Sequence, residues 1–497
     1  MNTTVFEPQQ LQQDQSRETA AQRYRQEREL YWDEFADSLA VQSRDNWQRI
    51  RGYYQQRLAE IYKHLVPPRM RVLELGCGHG DLLAALEPSR GVGIDLSEKM
   101  LDLARERYPD FQFFHGDAHD ALPSEKFDFI IVSDLLNDLR DVQRVLELVA
   151  QCSLPSTRIV LNAYSRLWQG PRWIARMMGA GKLQLDQNWL SRKDLENLLY
   201  LSGFETIRAS SEVLWPVKTP GFDTLCNRYL VKIAPFRWFA LTNFIVARPQ
   251  PKHATQQASV SVIIPAQNDA ANVRRIFEQT PEMGFGTELI FVDRQSTDHT
   301  YEAIEHEIAR WPNRRVKLLR QEGQAATKAD ALRLGFAHAD GDLLITLDAS
   351  LMVLPEELPR FYEAWCSGKG EIVNGVRLVY PAEVAPMGFP SVIAYKFFSM
   401  VFSWLFGQNV KDTLCSTKAL SRSDYETLAA NRAYFGDSDP FGDFDLLFGA
   451  AKYSLKIVDL PIRCEPLAAD ATNIEQWKCC WLLLKMVGTA MRKIKFV

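Results

Sequence analysis

Short apolar strands alternate with amphipathic helices along most of the chain, first up to about residue 247 and again after residue 259. This alternation is typical of βαβ units, in which helices cover a mainly parallel sheet. The pattern therefore predicts an α/β fold with two domains. In the first half we predict strands at 71–75, 91–95, 111–117, 127–134, 157–164, 204–210 and 243–247. In the second half we predict strands at 261–266, 288–293, 316–320, 342–348, 371–379 and 455–461.

The segments outside these patterns mark the domain boundaries. Residues 1–20 are polar and rich in Gln, which predicts a disordered tail. Residues 21–65 have helical periodicity and many aromatic side chains, which either pack on the sheet or form a lid over a ligand. Residues 248–258 combine Pro, Gln and small polar residues, as linkers do. We therefore expect one domain at 21–247 and a second at 259–497.

Composition narrows the class of protein. A length of 497 residues suits two domains, and a net charge of −4 argues against a general attraction to nucleic acid. The eight Cys form no C-x-x-C pair, so neither a zinc ribbon nor a disulfide framework is indicated. The N-terminus does not resemble a signal peptide, and no apolar run reaches the ~18 to 20 residues that span a bilayer. These features predict a cytoplasmic protein.

A glycine-rich loop follows the first strand in the sequence VLELGCGHGDLLAAL. Gly76 and Gly78 allow a tight turn and leave backbone amides free at the start of a helix. Glu74 ends the strand before the loop, and Asp95 ends the next strand about 20 residues later, the spacing at which a carboxylate binds ribose hydroxyls. The loop alone is a weak signal, but the acidic residue strengthens it.

Two further strand ends carry polar residues, Asp117 after the third strand and Ser133 after the fourth. Ligands of open α/β sheets bind at this edge. Together these positions resemble the class I S-adenosylmethionine-dependent methyltransferases from about residue 65 to 247. The resemblance implies that Glu74 orients the methionine end of the cofactor and that Asp95 holds its ribose. A nicotinamide-binding Rossmann domain is the alternative, although its loop would read G-x-G-x-x-G.

Acidic strand ends recur in the second half. Pro265 and Asn268 lie at the end of the first strand there, Asp293 ends the second, and Asp348 ends the fourth. Lys328 begins the helix before that fourth strand. A nucleotide base and ribose need hydrogen-bond acceptors, and a diphosphate needs positive charge from a metal ion or a basic side chain. The pattern therefore predicts a site for a nucleoside diphosphate.

The sequence blocks IIPAQND, VDRQSTDHT, ATKADALRLG and LDAS resemble, in this order, the family-2 glycosyltransferases of the GT-A fold, especially those that act on polyprenyl phosphates. The resemblance covers about 259–466. It implies an inverting transfer from a nucleoside-diphosphate sugar, with Asp293 at the nucleotide, Lys328 near the phosphates and Asp348 either at a Mg²⁺ or Mn²⁺ ion or at the ribose. Ser350 stands where the family has a second metal carboxylate.

Three further residues of this half are candidates for chemistry. Arg377 is a candidate for binding a phosphate, and Asp412 or Asp443 is a candidate general base. A phosphate acceptor already carries its nucleophilic oxygen, so the need for a base is small.

Two segments indicate contact with a membrane surface. The last twenty residues carry Lys and Arg with no acidic residue, together with Trp481, and residues 391–407 are rich in aromatic side chains. Both fit helices at an anionic interface, although residues 391–407 fit a core helix equally well.

The sequence therefore predicts a bifunctional methyl- and glycosyltransferase that acts on a lipid phosphate or glycan at the inner face of the cell membrane. The alternative is an active methyltransferase whose glycosyltransferase-like half only binds a glycan or lipid carrier.

Overall fold

A computed structural model of the chain describes residues 8–40, 46–120, 122–177, 185, 187–251, 257–322, 327–377, 389–434, 442–463 and 473–496. The chain divides into two compact units, Met1–Gln250 and Pro251–Val497. Each unit contains one seven-stranded sheet with helices, which confirms the predicted α/β class.

The sheet of the first unit has the strand order β3-β2-β1-β4-β5-β7-β6. All neighbours are parallel except β7, which runs antiparallel to β5 and β6. The strands are β1 (Arg71–Leu75), β2 (Arg90–Asp95), β3 (Gln112–His115), β4 (Phe127–Val132), β5 (Ser153–Tyr164), β6 (Phe204–Glu212) and β7 (Thr242–Pro249). All seven predicted strands of this half are confirmed within a few residues.

Helices cover both faces of this sheet. They are α1 (Pro8–Ala40), α2 (Asn46–Leu65), α3 (Asp81–Ala85), α4 (Glu98–Arg107), α5 (Val142–Cys152), α6 (Gln169–Met177), α7 (Arg192–Leu201) and α8 (Phe222–Thr224). Alternate residues of β1 face opposite cores because strand side chains alternate. Leu73 packs with α5 and α7, and Val72 packs with α2, α3 and α4. Glu74 therefore points to the same face as Val72.

Two predicted boundaries in this half are wrong. Helix α1 begins at Pro8, so residues 8–20 are helical rather than disordered, because Gln, Glu, Ala and Arg are good helix formers even without an apolar face. The linker begins later than residue 248, because β7 continues through Pro249 and Arg248 is buried against Glu205 on the neighbouring strand.

The sheet of the second unit has the order β10-β9-β8-β11-β13-β12-β14. Its strands are β8 (Val260–Ala266), β9 (Thr287–Asp293), β10 (Arg315–Arg320), β11 (Leu343–Thr346), β12 (Ile372–Val376), β13 (Lys418–Ser421) and β14 (Ile457–Pro461). The helices are α9 (Ala270–Gln279), α10 (Thr300–Arg310), α11 (Lys328–Ala337), α12 (Leu358–Cys366), α13 (Phe389–Phe406), α14 (Arg422–Ala430), α15 (Asp443–Tyr453) and α16 (Asn473–Ala490). Two apolar clusters, one on each face, hold these helices to the sheet.

Strand β13 is the element that the sequence pattern missed. It has four residues, KALS, and it lies antiparallel between β11 and β12. Lys is depleted in strands, so the segment carries no strand signal. Here Lys418 is fully buried because its ammonium donates to Asp443 on α15 at 2.8 Å.

Among the described residues, none of the helices has both the length and the apolar character needed to cross a membrane.

Candidate functional sites

The first unit has a cavity of about 1270 Å³ at the carboxyl edge of its sheet. Helices α1 and α2 contribute to its wall together with the glycine loop. All residues predicted to bind the cofactor line this one cavity: Glu74, Gly76, Gly78, Asp95, Asp117 and Ser133. The structure therefore brings together the positions that the sequence placed at separate strand ends.

The glycine loop is shaped for close approach of a ligand. Gly76 and Gly78 have φ of 72° and 53°, which L-residues rarely adopt. A Cβ on Gly76 would lie 3.1 Å from Leu135, and a Cβ on Gly78 would meet nothing within 4 Å. The turn therefore requires both glycines, and the space beside Gly78 is open.

Glu74 has a buried carboxylate with no ion pair to a described residue. Its side chain is 2% exposed, and Oε2 has no hydrogen-bond partner among the described residues. Burial, together with the nearby Asp95, raises the pKa of Glu74 well above its usual range. A cationic or hydrogen-bond-donating ligand would satisfy this oxygen.

Asp95 joins the glycine loop to α4 and α1. Its carboxylate accepts the N–H of Gly78 at 2.8 Å and the N–H of Ser97 at 2.9 Å. Ser97 in turn donates its hydroxyl to Asp33 of α1 at 2.5 Å. Burial raises the pKa of Asp95, although the backbone hydrogen bonds oppose that shift. The carboxylate is thus fixed in orientation at the ribose position that the resemblance implies.

Asp117 is oriented by a histidine. His119 Nε2 accepts the N–H of Asp141 at 3.1 Å, so the ring proton lies on Nδ1, which donates to Asp117 at 2.6 Å. Burial opposes ionisation, but the hydrogen bonds from His119 lower the pKa of Asp117. His119 therefore holds the Asp117 carboxylate and does not present a free base.

Aromatic residues of α1 line the cavity, whereas Tyr54 and Tyr62 of α2 are buried. Tyr24 and Arg28 both donate to the carbonyl of Asp138, at 3.0 and 2.8 Å, and Trp32 lines the cavity. In α2, Tyr62 is fully buried. The aromatic residues of α1 therefore fit the lid over a ligand, and those of α2 fit packing against the sheet.

Asp134, after β4, lies at the sheet edge as the sequence predicts, but the sequence did not indicate the partners of its carboxylate. It has φ of 52° and lines the cavity beside Ser133. Its carboxylate accepts the hydroxyls of Tyr54 at 3.0 Å and Tyr164 at 3.5 Å, and the amide of Asn162 at 2.5 Å. Tyr54 lies about 80 positions earlier in the chain and Tyr164 about 30 later, so no local pattern could have shown this cluster.

In the second unit, Asp293 ends β9 with a fully buried carboxylate. Oδ1 accepts the N–H of Ser296 at 3.2 Å, whereas Oδ2 has no hydrogen-bond partner in the described part of the chain. The Nε atom of Arg320 lies 3.6 Å from Oδ2. An acceptor oxygen in this state suits the N–H groups of a nucleotide base.

Of the predicted ligands Pro265 and Asn268, the first lies within β8 and the second lies in the loop that follows it. Pro265 is an internal residue of β8, and Asn268 has φ of 59°. The Asn268 side chain accepts the N–H of Thr297 at 2.8 Å, and its own N–H donates to Ser296 at 3.1 Å. Asn268 thus ties together the loops after β8 and β9.

Asp348 lies just beyond β11, in contact with the first residue of α11. The Lys328 ammonium donates to Asp348 Oδ2 and to the hydroxyl of Ser416, the latter at 2.8 Å. The Ser350 N–H donates to Oδ1 at 3.1 Å. Although burial opposes ionisation, the Lys328 ammonium lowers the pKa of Asp348. Lys328 and Asp348, which the sequence predicted separately, therefore form one hydrogen-bonded cluster with Ser416.

This donor set does not fit the divalent cation predicted at Asp348. Both carboxylate oxygens already accept hydrogen bonds, and Ser350 offers a hydroxyl in place of a second carboxylate. The described residues contain no group of three or more Asp, Glu, His or Cys that could hold a metal ion. Mg²⁺ and Mn²⁺ prefer carboxylate and water oxygens, and a bound ammonium competes with them for the same oxygen.

Two buried ion pairs lie behind this cluster. Arg377 binds Asp412 with two parallel hydrogen bonds of 2.8 and 3.0 Å, and both side chains are buried. Although burial opposes ionisation, Arg377 lowers the pKa of Asp412. Lys418 and Asp443 form the second pair. Neither aspartate is placed as a free base, and the Arg377 guanidinium is already occupied.

Helices α13 and α16 each bury one face and expose the other. Phe402 and Met486 are in the core, whereas an outer face of exposed side chains remains. We define this outer face as Lys396, Phe397, Met400, Trp481, Leu484 and Lys485. Trp481 is 74% exposed. Residues 391–407 are therefore partly a core helix and partly a surface one.

Family models match both units. The model of a methyltransferase domain matches residues 47–209, and the model of glycosyl transferase family 2 matches residues 261–428. The first match contains the predicted cofactor-binding residues but not α1, and the second contains Asp293, Lys328, Asp348, Arg377 and Asp412 but not Asp443.

Known proteins are similar to parts of the chain. A dolichol-phosphate mannosyltransferase of Pyrococcus furiosus is 28% identical over 250 residues, which cover 48% of this chain and 67% of that protein. An undecaprenyl-phosphate 4-deoxy-4-formamido-L-arabinose transferase of Edwardsiella ictaluri is 38% identical over 125 residues, or 24% of this chain and 37% of that protein. Similarity to such bacterial relatives thus spans little more than a third of their length.

A solved structure of magnesium protoporphyrin IX methyltransferase from Synechocystis with bound SAH covers 46% of this chain and 100% of that one, at 17% identity and a TM-score of 0.34. The two family matches decide the classification. The chain is a transferase that joins a methyltransferase domain to a family-2 glycosyltransferase domain.

Proposed function

We propose that the first unit binds S-adenosylmethionine and transfers its methyl group, and that the second unit transfers a sugar from a nucleoside diphosphate to a lipid phosphate or glycan. The observation that carries this proposal is a buried carboxylate oxygen without a hydrogen bond at a strand end in each unit, Glu74 Oε2 and Asp293 Oδ2. A buried acceptor needs a hydrogen-bond donor from a ligand or from water, and both of these oxygens lie at the sheet edge where ligands of α/β folds bind. Each therefore indicates a site for a ligand that donates hydrogen bonds.

The residues of the first unit fit S-adenosylmethionine. Glu74 suits the amino group of its methionine part, Asp95 suits the ribose hydroxyls, and the open space at Gly78 admits the chain between them. The cofactor, when bound, supplies a methyl group on a positively charged sulfur. Asp134, with Tyr54 and Tyr164 at its carboxylate, is placed to orient the methyl acceptor and to take a proton from it.

The second unit fits the two ends of an activated sugar. Asp293 suits the base, and Lys328, held by Asp348 and Ser416, suits the diphosphate. The pairs formed by Arg377 with Asp412 and by Lys418 with Asp443 position the strands around this site. They do not need to move a proton if the acceptor is a phosphate. The named relatives act on dolichol phosphate and undecaprenyl phosphate, which supports a lipid phosphate as the acceptor here.

Calorimetry on the full-length protein tests both sites separately. S-adenosylmethionine should bind with a stoichiometry of one, and UDP or GDP should bind without competing with it. Glu74→Gln should weaken only the binding of S-adenosylmethionine, and Asp293→Asn should weaken only the binding of UDP or GDP. The matched control is Asp102→Asn, an exposed acid on α4 that pairs with Arg105. Normal binding of both ligands to both variants would contradict the assignment.

A second candidate for the C-terminal unit is a binding module without transfer activity. Ser350, in place of a second carboxylate, favours it, because the unit then lacks the metal-binding pair of its family. Mixing the protein with UDP- or GDP-sugars and undecaprenyl phosphate distinguishes the two. A new glycolipid would establish transfer, whereas saturable binding without product or released nucleotide would establish the module.

We also propose that the outer face of α13 and α16 contacts an anionic membrane. Exposed aromatic and aliphatic side chains between lysines are typical of helices that lie in the headgroup region. Co-sedimentation with phosphatidylglycerol vesicles should exceed that with phosphatidylcholine vesicles. Trp481→Ala should reduce it several-fold, whereas Trp311→Ala, a less exposed tryptophan after α10, should not. Equal sedimentation of the two variants would contradict this contact.

A further inference from the structure

Two basic side chains lie near Asp348, where the resemblance implies a divalent cation. One is Lys328, whose ammonium contacts the carboxylate of Asp348. The other is Arg294, which directly follows Asp293 where the family has a second acidic residue. Its backbone N–H donates to the carbonyl of Ala266 at 2.9 Å, so the residue is fixed beside the end of β8.

Arg294 is close enough to Asp348 and Asp269 to interact with both. Burial lowers its pKa, and these two carboxylates oppose that shift. The Nε atom is buried and has no hydrogen-bond partner among the described residues. A half-buried guanidinium with an unsatisfied N–H is suited to a phosphate oxygen, because its planar donors match that geometry.

The carboxylates of the site are correspondingly engaged. Asp348 uses Oδ2 for Lys328 and Oδ1 for the N–H of Ser350. Asp269 accepts the N–H of Gln267 at 2.9 Å. A divalent cation would have to displace the Lys328 ammonium and then lie near the Arg294 guanidinium, which is electrostatically unfavourable.

We propose that this unit binds its nucleoside-diphosphate sugar without a divalent cation and that Lys328 and Arg294 neutralise the diphosphate. The inference rests on the proposed donor site and replaces the metal ion in it. In the transfer, the acceptor phosphate oxygen bonds to the anomeric carbon. The bond from that carbon to the β-phosphate oxygen breaks, and the electron pair leaves with the nucleoside diphosphate. Lys328 and Arg294 are then placed to stabilise the charge on the leaving group.

The test is calorimetric titration of the full-length protein with UDP and GDP, first in excess EDTA and then in excess MnCl₂. At least one of them should bind in EDTA, and MnCl₂ should change its Kd by less than about threefold. Lys328→Met and Arg294→Met should each weaken binding about tenfold or more in both media, as expected for loss of a charge-assisted hydrogen bond. Lys328→Arg should recover most of the affinity.

Two further variants separate this role from loss of folding. Asp348→Asn keeps the shape of the side chain, and binding in EDTA should persist, whereas a metal ligand would lose Mn²⁺-dependent binding on this change. Arg274→Met, on the exposed side of α9, is the control for removing a cation from the surface. Far-ultraviolet circular dichroism should be the same for all variants.

The outcomes that would overturn the inference are distinct. Binding that requires MnCl₂, or binding unaffected by Lys328→Met and Arg294→Met, would overturn the inference and leave the donor site standing. No binding of either nucleotide in either medium would overturn the donor site and the inference with it.

Discussion

The candidate sites of the two units surround their carboxylates with different charges. In the first unit, Glu74 is buried and Asp95 is half-buried, and neither forms an ion pair with a Lys or Arg in the described ranges. In the second, four aspartates each face a cation, in the pairs Asp293 with Arg320, Asp348 with Lys328, Asp412 with Arg377 and Asp443 with Lys418. Sites with the same edge-of-sheet position therefore differ in charge balance.

This difference matches the charge of the proposed ligands. S-adenosylmethionine brings positive charge, so a site for it can leave carboxylates uncompensated until the ligand arrives. A sugar nucleotide and a lipid phosphate bring negative charge, so a site for them needs cations that are held in position beforehand. The fold places the ligand at the same edge of the sheet in both units, and the side chains there determine whether the site suits a positively or a negatively charged ligand.

The largest expected effect comes from breaking a buried pair in the second unit. Asp412→Ala leaves the Arg377 guanidinium buried without a partner, and it should lower the free energy of unfolding by about 3–5 kcal/mol. Urea denaturation measures the free energy of unfolding, and hydrogen exchange in β12 and β13 measures the local loss of stability. The double variant Asp412→Ala, Arg377→Met should be less unstable than Asp412→Ala alone.

The pH dependence of the same pair has a defined sign. The folded-state pKa of Asp412 is lowered, so the pair contributes stability above the ordinary Asp range. That contribution should be lost as the pH falls from the ordinary range through the lowered value. Exchange protection in β12 that does not change over this acidic window would contradict the assignment.

In the first unit, the largest expected effect is on affinity. Asp95→Asn removes the charged acceptor of the ribose while keeping its size, and should weaken binding of S-adenosylmethionine about 100-fold. Calorimetry measures this, with Asp102→Asn as the control. A change in Kd of less than about threefold would show that Asp95 does not bind the cofactor.

Glu74→Gln should change the free energy of unfolding less than Asp412→Ala does, and it should raise that free energy rather than lower it. Removing an uncompensated buried carboxyl should raise the free energy of unfolding of the ligand-free protein by about 1 kcal/mol. The same change should lower the affinity for S-adenosylmethionine. Because the folded-state pKa of Glu74 is raised, the natural protein should lose stability as the pH rises from the ordinary Glu range to that value. A loss of stability in Glu74→Gln would mean that the carboxylate has a structural partner.

The smallest effect is expected for an exposed pair of the second unit. Arg274 and Glu278 lie one turn apart on α9 with a separation of 2.7 Å. Arg274→Ala should change the free energy of unfolding by less than about 0.5 kcal/mol, because exposed ion pairs are weak. A loss as large as that of Asp412→Ala would show that burial does not distinguish the pairs.

Prediction from sequence worked where the signal is local. The strands of the first sheet follow from apolar runs with breaks between them, and the glycine loop followed by Asp95 is a short-range pattern. Asp293 and Lys328 were placed correctly because strand ends and helix starts are visible in the sequence. The errors at residues 8–20 and at residue 248 concern boundaries, which depend on weak local preferences.

The sequence by itself determined the two α/β units, their order and the strand ends that carry Glu74, Asp95, Asp293 and Asp348. Only the tertiary structure decided what faces those carboxylates. It placed Tyr54 and Tyr164 at Asp134, inserted β13 so that Ser416 reaches Lys328, and paired Asp412 and Asp443 with cations. The physical reason is that side-chain pairing across distant segments depends on packing, whereas strands and loops follow from the local pattern of apolar and polar residues.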